Sequence, residues 1–407
     1  MGRAARCYIR GFPAAVCMAV VFVACDDHSS PSSGAIVCDD SATPILLASK
    51  FDDEDGDGNP LDEKFPTIDD EDDDIADHTW FRDRTGTYHL FFHNEGRGAP
   101  NYIEHYTSRN LQSLDYVGVA FDAPAGGWDA GAIWAPHVIE DGGTYYMIYT
   151  GVDRIGDGAK QRIGVATSTD LTHWRRLPVN RCPGTTGDGC VYECRECWTT
   201  WGVGGDPDND QCRDPFVIRD PERDRWLLFA TARSVNGFGV VTVADSENLW
   251  DWSGAGYIDA TRRLAGGVEG QPTGGQAENP FVVSYGGDYY LLFTDWQDAE
   301  DSLDVATPRT IVQYATSPSL AVDSLGSAGW TYRGYTPDPG VNATEVFQPG
   351  FGRWIMSQSI SNSHSGYVKP IRRQLRLKCI RWEGGFSFDT SNVGFEASRT
   401  TTPVSPQ

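Results

Sequence analysis

The chain has 407 residues, a formal net charge of −24 and a high content of aromatic residues, including 13 Trp and 17 Tyr. This length is enough for one large β domain or two smaller ones. Residues 52–77 contain 14 acidic residues and one Lys, so much of the negative charge lies near the N-terminus. Because the sequence has no comparable cluster of basic residues, it argues against nucleic-acid binding, which depends on Lys and Arg contacts to phosphates.

Residues 1–24 are predicted to be an export signal. Three Arg residues precede an apolar stretch from Phe12 to Ala24, which is too short to span a membrane as a helix. The stretch ends in Phe22-Val-Ala-Cys25, which resembles a bacterial lipobox, where the Cys carries the lipid. We therefore expect an exported lipoprotein anchored to the cell envelope through Cys25, with a plain secretory signal as the alternative.

Residues 25–75 are predicted to be an acidic tether rich in Ser, Pro and Asp. The segment Asp53-Glu-Asp-Gly-Asp-Gly58 resembles the start of a calcium-binding loop, whose twelfth position needs an acidic residue that binds through both oxygens. That position is Lys64, so a solvated linker is favoured over a calcium site.

Apart from the Cys residues of the signal and the lipobox, seven Cys remain, and five of these lie in a predicted insertion at residues 180–212. Their spacing allows either a zinc site or disulfide bonds. Export favours disulfides that staple the insertion, because extracytoplasmic compartments are oxidising. The odd total leaves either one free thiol or a bond from Cys38 or Cys379 to the cluster. The five clustered residues are Cys182, Cys190, Cys194, Cys197 and Cys212.

From residue 76 onward, short apolar and aromatic runs are joined by tight Gly- and Asp-containing turns, which is typical of β-hairpins. Five such hairpins follow one another at intervals of 57, 81, 63 and 65 residues, and the second interval contains the Cys-rich insertion. Repeats of about 60 residues with four short strands each predict an all-β fold, a five-bladed β-propeller over residues 76–393. Residues 394–407 are predicted to be a disordered tail. The hairpins are anchored by Tyr88, Tyr145, Trp226, Tyr289 and Trp354.

Three of the hairpins are preceded by a carboxylate. Counting back 11 or 12 residues from the aromatic run places Asp77, Asp214 and Glu278 at one position of the repeat, where the second repeat has Ala135. Because the inner strands of a propeller converge on its axis, we expect the three acids to face one funnel. Mutual repulsion should raise the pKa of at least one of them, as glycoside hydrolysis requires.

These motifs resemble those of the five-bladed propeller glycosidases of glycoside hydrolase families 43 and 32, over residues 76 to about 390. Arg213-Asp214-Pro215 is similar to their Arg-Asp-Pro motif, and Glu278-Asn-Pro280 to their Glu-Gly-Pro or Glu-Cys-Pro motif. The resemblance implies that Asp77 is the general base or nucleophile, Asp214 positions the sugar and tunes the acid, and Glu278 is the general acid.

Other features distinguish the two families. Asp77 followed by Tyr88-His-Leu-Phe-Phe92 looks like the opening of family 32, although His78-Thr79 replaces the usual Pro-Asn. Ile133-Trp-Ala-Pro136, by contrast, resembles family 43. No β-sandwich of the family 32 type follows the predicted propeller, so family 43 and inverting chemistry are favoured.

Further candidate residues surround the predicted funnel. Arg213 is expected to help keep Asp214 ionised, and Trp134 to form the floor of the sugar site. The candidates for substrate binding are Trp80, His93, Trp134, His137 and Arg213. No cofactor is required by this chemistry. The family 43 resemblance implies a possible structural calcium on the propeller axis, with His364 nearby.

The sequence therefore predicts an exported glycoside hydrolase that cleaves furanosidic or xylosidic bonds in polysaccharides or oligosaccharides. The alternatives are a retaining enzyme similar to β-fructosidases and a non-catalytic propeller that binds carbohydrate through its aromatic residues. A structural propeller that binds a protein partner is favoured least.

Overall fold

The computed structural model of the protein describes residues 36–39, 45–47, 75–94, 102–111, 113–156, 158–201, 210–259, 276–296, 310–322, 329–335, 341–349, 354–361, 373–381 and 389–395. These residues form strands, turns and bends. Among them there is no helix of a length and hydropathy that would cross a membrane.

The strands form five antiparallel sheets, which confirms the predicted all-β, five-bladed propeller. The first blade consists of β3 (Ile75–Arg82), β4 (Tyr88–Asn94), β5 (Tyr102–Ser108) and β6 (Asp115–Asp122). The second consists of β7 (Ala132–Asp141), β8 (Thr144–Val152), β9 (Gln161–Ser168), β10 (Arg175–Arg176) and β11 (Cys190–Tyr192), the last of which pairs with β9. The third consists of β12 (Cys212–Asp220), β13 (Arg225–Arg233), β14 (Gly239–Ser246) and β15 (Ser253–Ile258).

The fourth blade consists of β16 (Ala277–Tyr285), β17 (Asp288–Trp296), β18 (Thr310–Ser317) and β19 (Thr331–Tyr335). The fifth consists of β20 (Val341–Phe347), β21 (Trp354–Ser361), β22 (Arg373–Arg381) and β23 (Asp389–Phe395), together with β1 (Ile36–Asp39) and β2 (Ile45–Leu47). The first strand of each blade contacts the first strand of the next, and β20 contacts β3, so the inner strands form a closed ring.

Two of the hairpin turns show why the sequence repeats as it does. Gly142 and Gly143 join β7 to β8, and Gly286 and Gly287 join β16 to β17, all four with positive φ. A two-residue turn with positive φ at both positions matches the right-handed twist of the flanking strands, and glycine adopts it without steric cost.

The apolar core lies between the blades rather than within one of them. Each of five clusters of buried side chains joins two neighbouring blades, and one of the five joins the fifth blade to the first. In that last cluster Leu90 and Tyr106 of the first blade pack with Ile355 and Leu377 of the fifth. Most of the abundant aromatic residues therefore serve blade packing.

The predicted tether at residues 25–75 is wrong in part. β1 pairs with β23 and β2 pairs with β22, so two pieces of this segment extend the fifth blade. Both pieces are apolar runs, and pairing with them satisfies backbone groups that would otherwise stay unpaired at the sheet edge. β23 also ends at Phe395, two residues into the predicted tail. Cys25, the proposed calcium loop and the rest of the tail lie outside the described residues.

The predicted stapling of the Cys-rich insertion is confirmed. Disulfide bonds join Cys182 to Cys190 and Cys194 to Cys212, while Cys197 is free and exposed. Cys379 is also disulfide-bonded. Because the four bonded Cys of the cluster pair with each other and Cys197 is free, Cys379 does not pair with the cluster. The second bond fixes the start of β12, the strand that carries Arg213 and Asp214.

Replacing Cys194 and Cys212 with Ala is expected to lower the free energy of unfolding by about 3 kcal/mol, because the unfolded chain would regain the entropy of a closed loop. Urea denaturation without reductant measures the loss. Cys197→Ala is the matched control from the same insertion, and its stability should change by less than about 0.5 kcal/mol. An equal loss in the control would contradict this disulfide pairing.

Candidate active site

Each inner strand has an irregularity where it reaches the propeller axis. The ladder to the second strand shifts by one residue, which leaves a two-residue bulge. In four blades the first bulge residue has a positive φ of 45–55°, a backbone conformation that is uncommon outside glycine. Such strain is often found at functional sites. The four residues are Ala135, Asp214, Asn279 and Ala343.

The three predicted acids do not share one position of the repeat, so that expectation is wrong. Relative to the first paired residue after each bulge, Asp77 lies one residue before, Asp214 two before and Glu278 three before. The acids are nevertheless evenly spaced from the aromatic runs in sequence, because differences in the length of the hairpin turns offset the differences in ladder position. Five residues separate β3 from β4, whereas only two separate β16 from β17. A bulge re-aims neighbouring side chains, which allows three different positions to serve one site.

The acids of the third and fourth blades meet at a buried arginine. The Nη2 atom of Arg213 donates a hydrogen bond to Oε1 of Glu278 at 2.5 Å and another to the Gln276 side chain. Its Nη1 donates to Oε1 of Gln161 at 3.2 Å, and its Nε lies 3.5 Å from Oδ2 of Asp214. Arg213, only 8% exposed, thus joins two catalytic candidates from adjacent blades.

Asp214 is 5% exposed and is held on all sides. Its backbone N–H donates to the Thr150 hydroxyl at 2.9 Å, while its Oδ2 lies 2.9 Å from the Thr231 hydroxyl and accepts from the Asn279 N–H at 3.2 Å. Burial raises the pKa of Asp214 to about 7. The Arg213 charge opposes this shift, and the nearby charges of Asp77 and of Glu278 add to it. Asp214 therefore gains a proton near neutral pH.

Asp77 reaches the same site from the first blade. With Asp214 it lines a pocket on the axis to which all five inner strands contribute. Its charge acts on both Asp214 and Arg213. Glu278 lies beside this pocket, with 15% of its side chain exposed, and is connected to it through Arg213. The arrangement offers two carboxyl groups next to a third that is tuned by burial.

Of the predicted substrate-binding residues, His137 lines the pocket, and Trp134 lies at a ladder position that matches two site residues. Trp134 occupies the same ladder position as Arg213 and Glu278, and its Nε1 has no hydrogen-bond partner among the described residues. His137 lines the axial pocket, and its Nε2 lies 3.1 Å from the Val217 carbonyl oxygen. Burial lowers the pKa of His137 to about 4, so the imidazole is neutral at physiological pH.

Trp80 and His93 are buried in supporting positions. Trp80 packs between the first and fifth blades, and its indole N–H donates to the Ser357 hydroxyl at 3.0 Å. The His93 Nδ1 accepts the N–H of Ala135 at 3.2 Å, which holds the bulge of the second blade. Both residues are at most 8% exposed, and neither lines the axial pocket. Their contact with substrate stays a prediction. His364 lies outside the described residues.

Glu345 is a site residue that sequence reasoning missed. It lines the axial pocket from the fifth blade and accepts the Trp80 N–H at 2.8 Å. Burial raises its pKa to about 8, opposed by the hydrogen bonds from Trp80 and Thr79. The inner strand of the fifth blade lacks the acid and Pro that mark the third and fourth repeats, so only the aromatic run that ends this repeat could be recognised.

Replacing Glu345 with Gln should remove a pH-dependent loss of stability. The folded-state pKa is about 8 against 4.5 for the free side chain, so the wild type is destabilised as the pH rises through this window. The slope is about 1.4 kcal/mol per pH unit, and it vanishes below and above the window. In urea denaturation, Glu345→Gln should therefore gain stability relative to wild type between pH 5 and pH 8. A constant difference over this range would contradict a protonated Glu345.

The axial residues fit a directly coordinated calcium poorly. Within the described part of the chain, no three His, Cys, Asp or Glu side chains are arranged around a common metal position. Calcium takes six to eight oxygen ligands, whereas the pocket lining offers two imidazoles and the carboxyl groups of Asp77, Asp214 and Glu345, the last already bonded to Trp80. A calcium on the axis stays a prediction that depends on water and on residues outside the described ranges.

Comparisons with known proteins agree with the five-bladed propeller. Residues 72–179 match the family model "Glycosyl hydrolases family 43". The chain is 26% identical over 201 residues to a levanase of Bacillus sp. (strain L7), covering 45% of this chain but only 18% of the levanase. It thus spans about a fifth of the length of that curated relative.

Solved structures of similar fold include two propeller enzymes. An endo-arabinase from Bacteroides thetaiotaomicron superimposes with a TM-score of 0.54 and 17% identity, covering 77% of this chain and 96% of that one. A sucrose-6-phosphate hydrolase from Lactobacillus gasseri gives a TM-score of 0.59 and 18% identity, covering 79% and 61% respectively. At these identities the likeness shows the fold alone.

Proposed function

We propose that this chain, a five-bladed propeller of the glycoside hydrolase family 43 and 32 type, cleaves furanosidic or xylosidic bonds in polysaccharides or oligosaccharides. The observation that carries the proposal is the convergence of Asp77, Asp214 and Glu278 around Arg213, from three blades, beside a pocket on the axis.

In the proposed reaction Asp77 acts as the general base and activates a water molecule. Glu278 acts as the general acid and protonates the departing oxygen. Arg213 donates a hydrogen bond to Oε1 of Glu278 and so orients this carboxyl group. Asp214, held by contacts with Thr231 and Asn279, orients a sugar hydroxyl.

A retaining, β-fructosidase-like reaction is the second candidate, favoured by the likeness to a levanase. In that reaction Asp77 would attack the sugar directly and form a covalent intermediate. The two reactions differ in the anomer that is released first.

Hydrolysis of a panel of aryl arabinofuranosides, aryl xylosides and fructans tests the proposal. NMR of the first product then separates inversion from retention. Binding of these sugars without turnover would indicate a carbohydrate-binding propeller instead. The absence of both binding and turnover would overturn the proposal.

We also propose that the protein is exported and anchored through a lipid on Cys25, as the N-terminal sequence indicates. Incorporation of labelled palmitate into the wild type, and its loss in Cys25→Ala, would support this anchor. A Cys25→Ala protein that stays equally labelled and membrane-bound would contradict it.

A further inference from the structure

The hydroxyl of Thr231 lies between two acceptors. Thr231 is fully buried on β13, with its Oγ1 2.9 Å from Oδ2 of Asp214 and 3.0 Å from the carbonyl oxygen of Ala277. A hydroxyl has one proton to donate and two lone pairs with which to accept. It can satisfy both neighbours only if one of them supplies a proton of its own, and the Ala277 carbonyl has none.

The proton count therefore distinguishes two states of Asp214. If Asp214 is ionised, the Thr231 hydroxyl donates its one proton to Asp214. It then faces the Ala277 carbonyl oxygen across 3.0 Å with no proton between the two oxygens, which is unfavourable in a buried site. If Asp214 carries a proton on Oδ2, it donates to Thr231, and Thr231 donates to Ala277. Both contacts are then hydrogen bonds.

The charges that face Asp214 are compatible with the second state. Arg213 lies on the same strand, Asp77 and Glu278 approach from β3 and β16, and His137 and Glu345 line the same pocket. One guanidinium thus faces three carboxyl groups. Retaining a proton on Asp214, the most buried of the three, relieves repulsion that Arg213 alone does not cancel.

The same contacts hold the backbone on both sides of Glu278. The Ala277 carbonyl precedes Glu278 and contacts Thr231, and the Asn279 N–H follows it and donates to Asp214. We infer that Thr231 is a positioning residue that accepts the proton of Asp214, donates to the Ala277 carbonyl and so fixes the peptide groups flanking Glu278. The inference deepens the proposed function, because its kinetic consequence needs a hydrolase.

The test compares Thr231→Val, which keeps the shape but loses the hydroxyl, with Thr231→Ser, which keeps the hydroxyl. Infrared spectra of protein labelled with ¹³C-aspartate follow the carboxyl stretch of Asp214 across pH, assigned by its loss in Asp214→Asn. If Thr231 accepts from the protonated acid, Thr231→Val should lower the titration midpoint of Asp214 by about one pH unit, and Thr231→Ser should leave it near the wild-type value.

A midpoint that rises in Thr231→Val would show that Thr231 donates to an ionised Asp214. A wild-type Asp214 that is already ionised at pH 6 would show the same. Either result overturns the inference. The kinetic arm expects kcat to fall about tenfold in Thr231→Val with KM nearly unchanged, and Thr231→Ser to recover it, because Glu278 acts only in the transition state. If no substrate is hydrolysed by the wild type, the proposed function fails, while the infrared midpoints still decide the hydrogen-bond direction.

Discussion

Replacing Asp77 with Asn, or Glu278 with Gln, is expected to lower kcat by about 10²–10⁴-fold, the range that general acid and base catalysis contributes. Both changes keep the shape of the side chain but remove its ability to take up or release a proton. The measurement is kcat and KM on the best substrate from the panel. KM should change little, because proton transfer contributes in the transition state rather than in the ground state.

The matched controls are Asp224→Asn and Glu247→Gln, whose side chains are 89% and 84% exposed on the third blade. Asp224 lies in a turn with positive φ, a conformation that Asn also tolerates. Both controls should retain wild-type kcat. Full activity in either Asp77→Asn or Glu278→Gln would remove that residue from the proposed mechanism.

The repeated hairpins made the fold predictable. Alternating apolar runs and the turn at Gly286-Gly287 constrain the backbone locally, so the number of blades follows from a count of repeats. Local signals also indicated the chemistry, because Arg213-Asp214 and Glu278 stand beside a Pro or an Asn-Pro at strand starts. What these signals could not provide was register. The offsets of Asp77, Asp214 and Glu278 depend on bulges and turn lengths that only the paired strands reveal.

The residues that sequence reasoning missed have partners far away along the chain. Gln161 contacts Arg213 across 52 positions, and Thr231 contacts Ala277 across 46. Neither belongs to a motif, because each position is set by how one blade faces the next. The apolar runs of β1 and β2 were hidden for a different reason: the acidic, Ser-rich composition around them dominates any estimate made over a longer window.

Replacing Arg213 with Met should both destabilise the protein and abolish hydrolysis. The guanidinium is the cation that bonds directly to Glu278 and lies beside Asp214, so its loss leaves two buried carboxyl groups to repel each other. Removal of one partner from a buried ion pair costs about 3–5 kcal/mol. Urea denaturation at pH 8 measures the loss of stability, and the substrate panel measures the loss of activity.

The pH dependence separates this electrostatic cause from a packing defect. Without Arg213 the pKa of Asp214 should rise further, so the penalty should shrink as the pH falls and Asp214 takes up a proton. Adding Glu278→Gln and Asp214→Asn to Arg213→Met should likewise restore much of the stability but none of the activity. A packing defect would cost the same at pH 5 and pH 8 and would not be relieved by neutralising the acids.

Arg219→Met is the matched control, because Arg219 lies on the same strand and pairs with the exposed Asp224. Exposed ion pairs contribute about 0–1 kcal/mol, so this variant should keep nearly all its stability and activity. If Arg213→Met behaved like this control, the guanidinium would not be holding the three acids together. The convergence of three blades on one arginine would then be a packing feature, and the proposed active site would have to be sought elsewhere on the propeller.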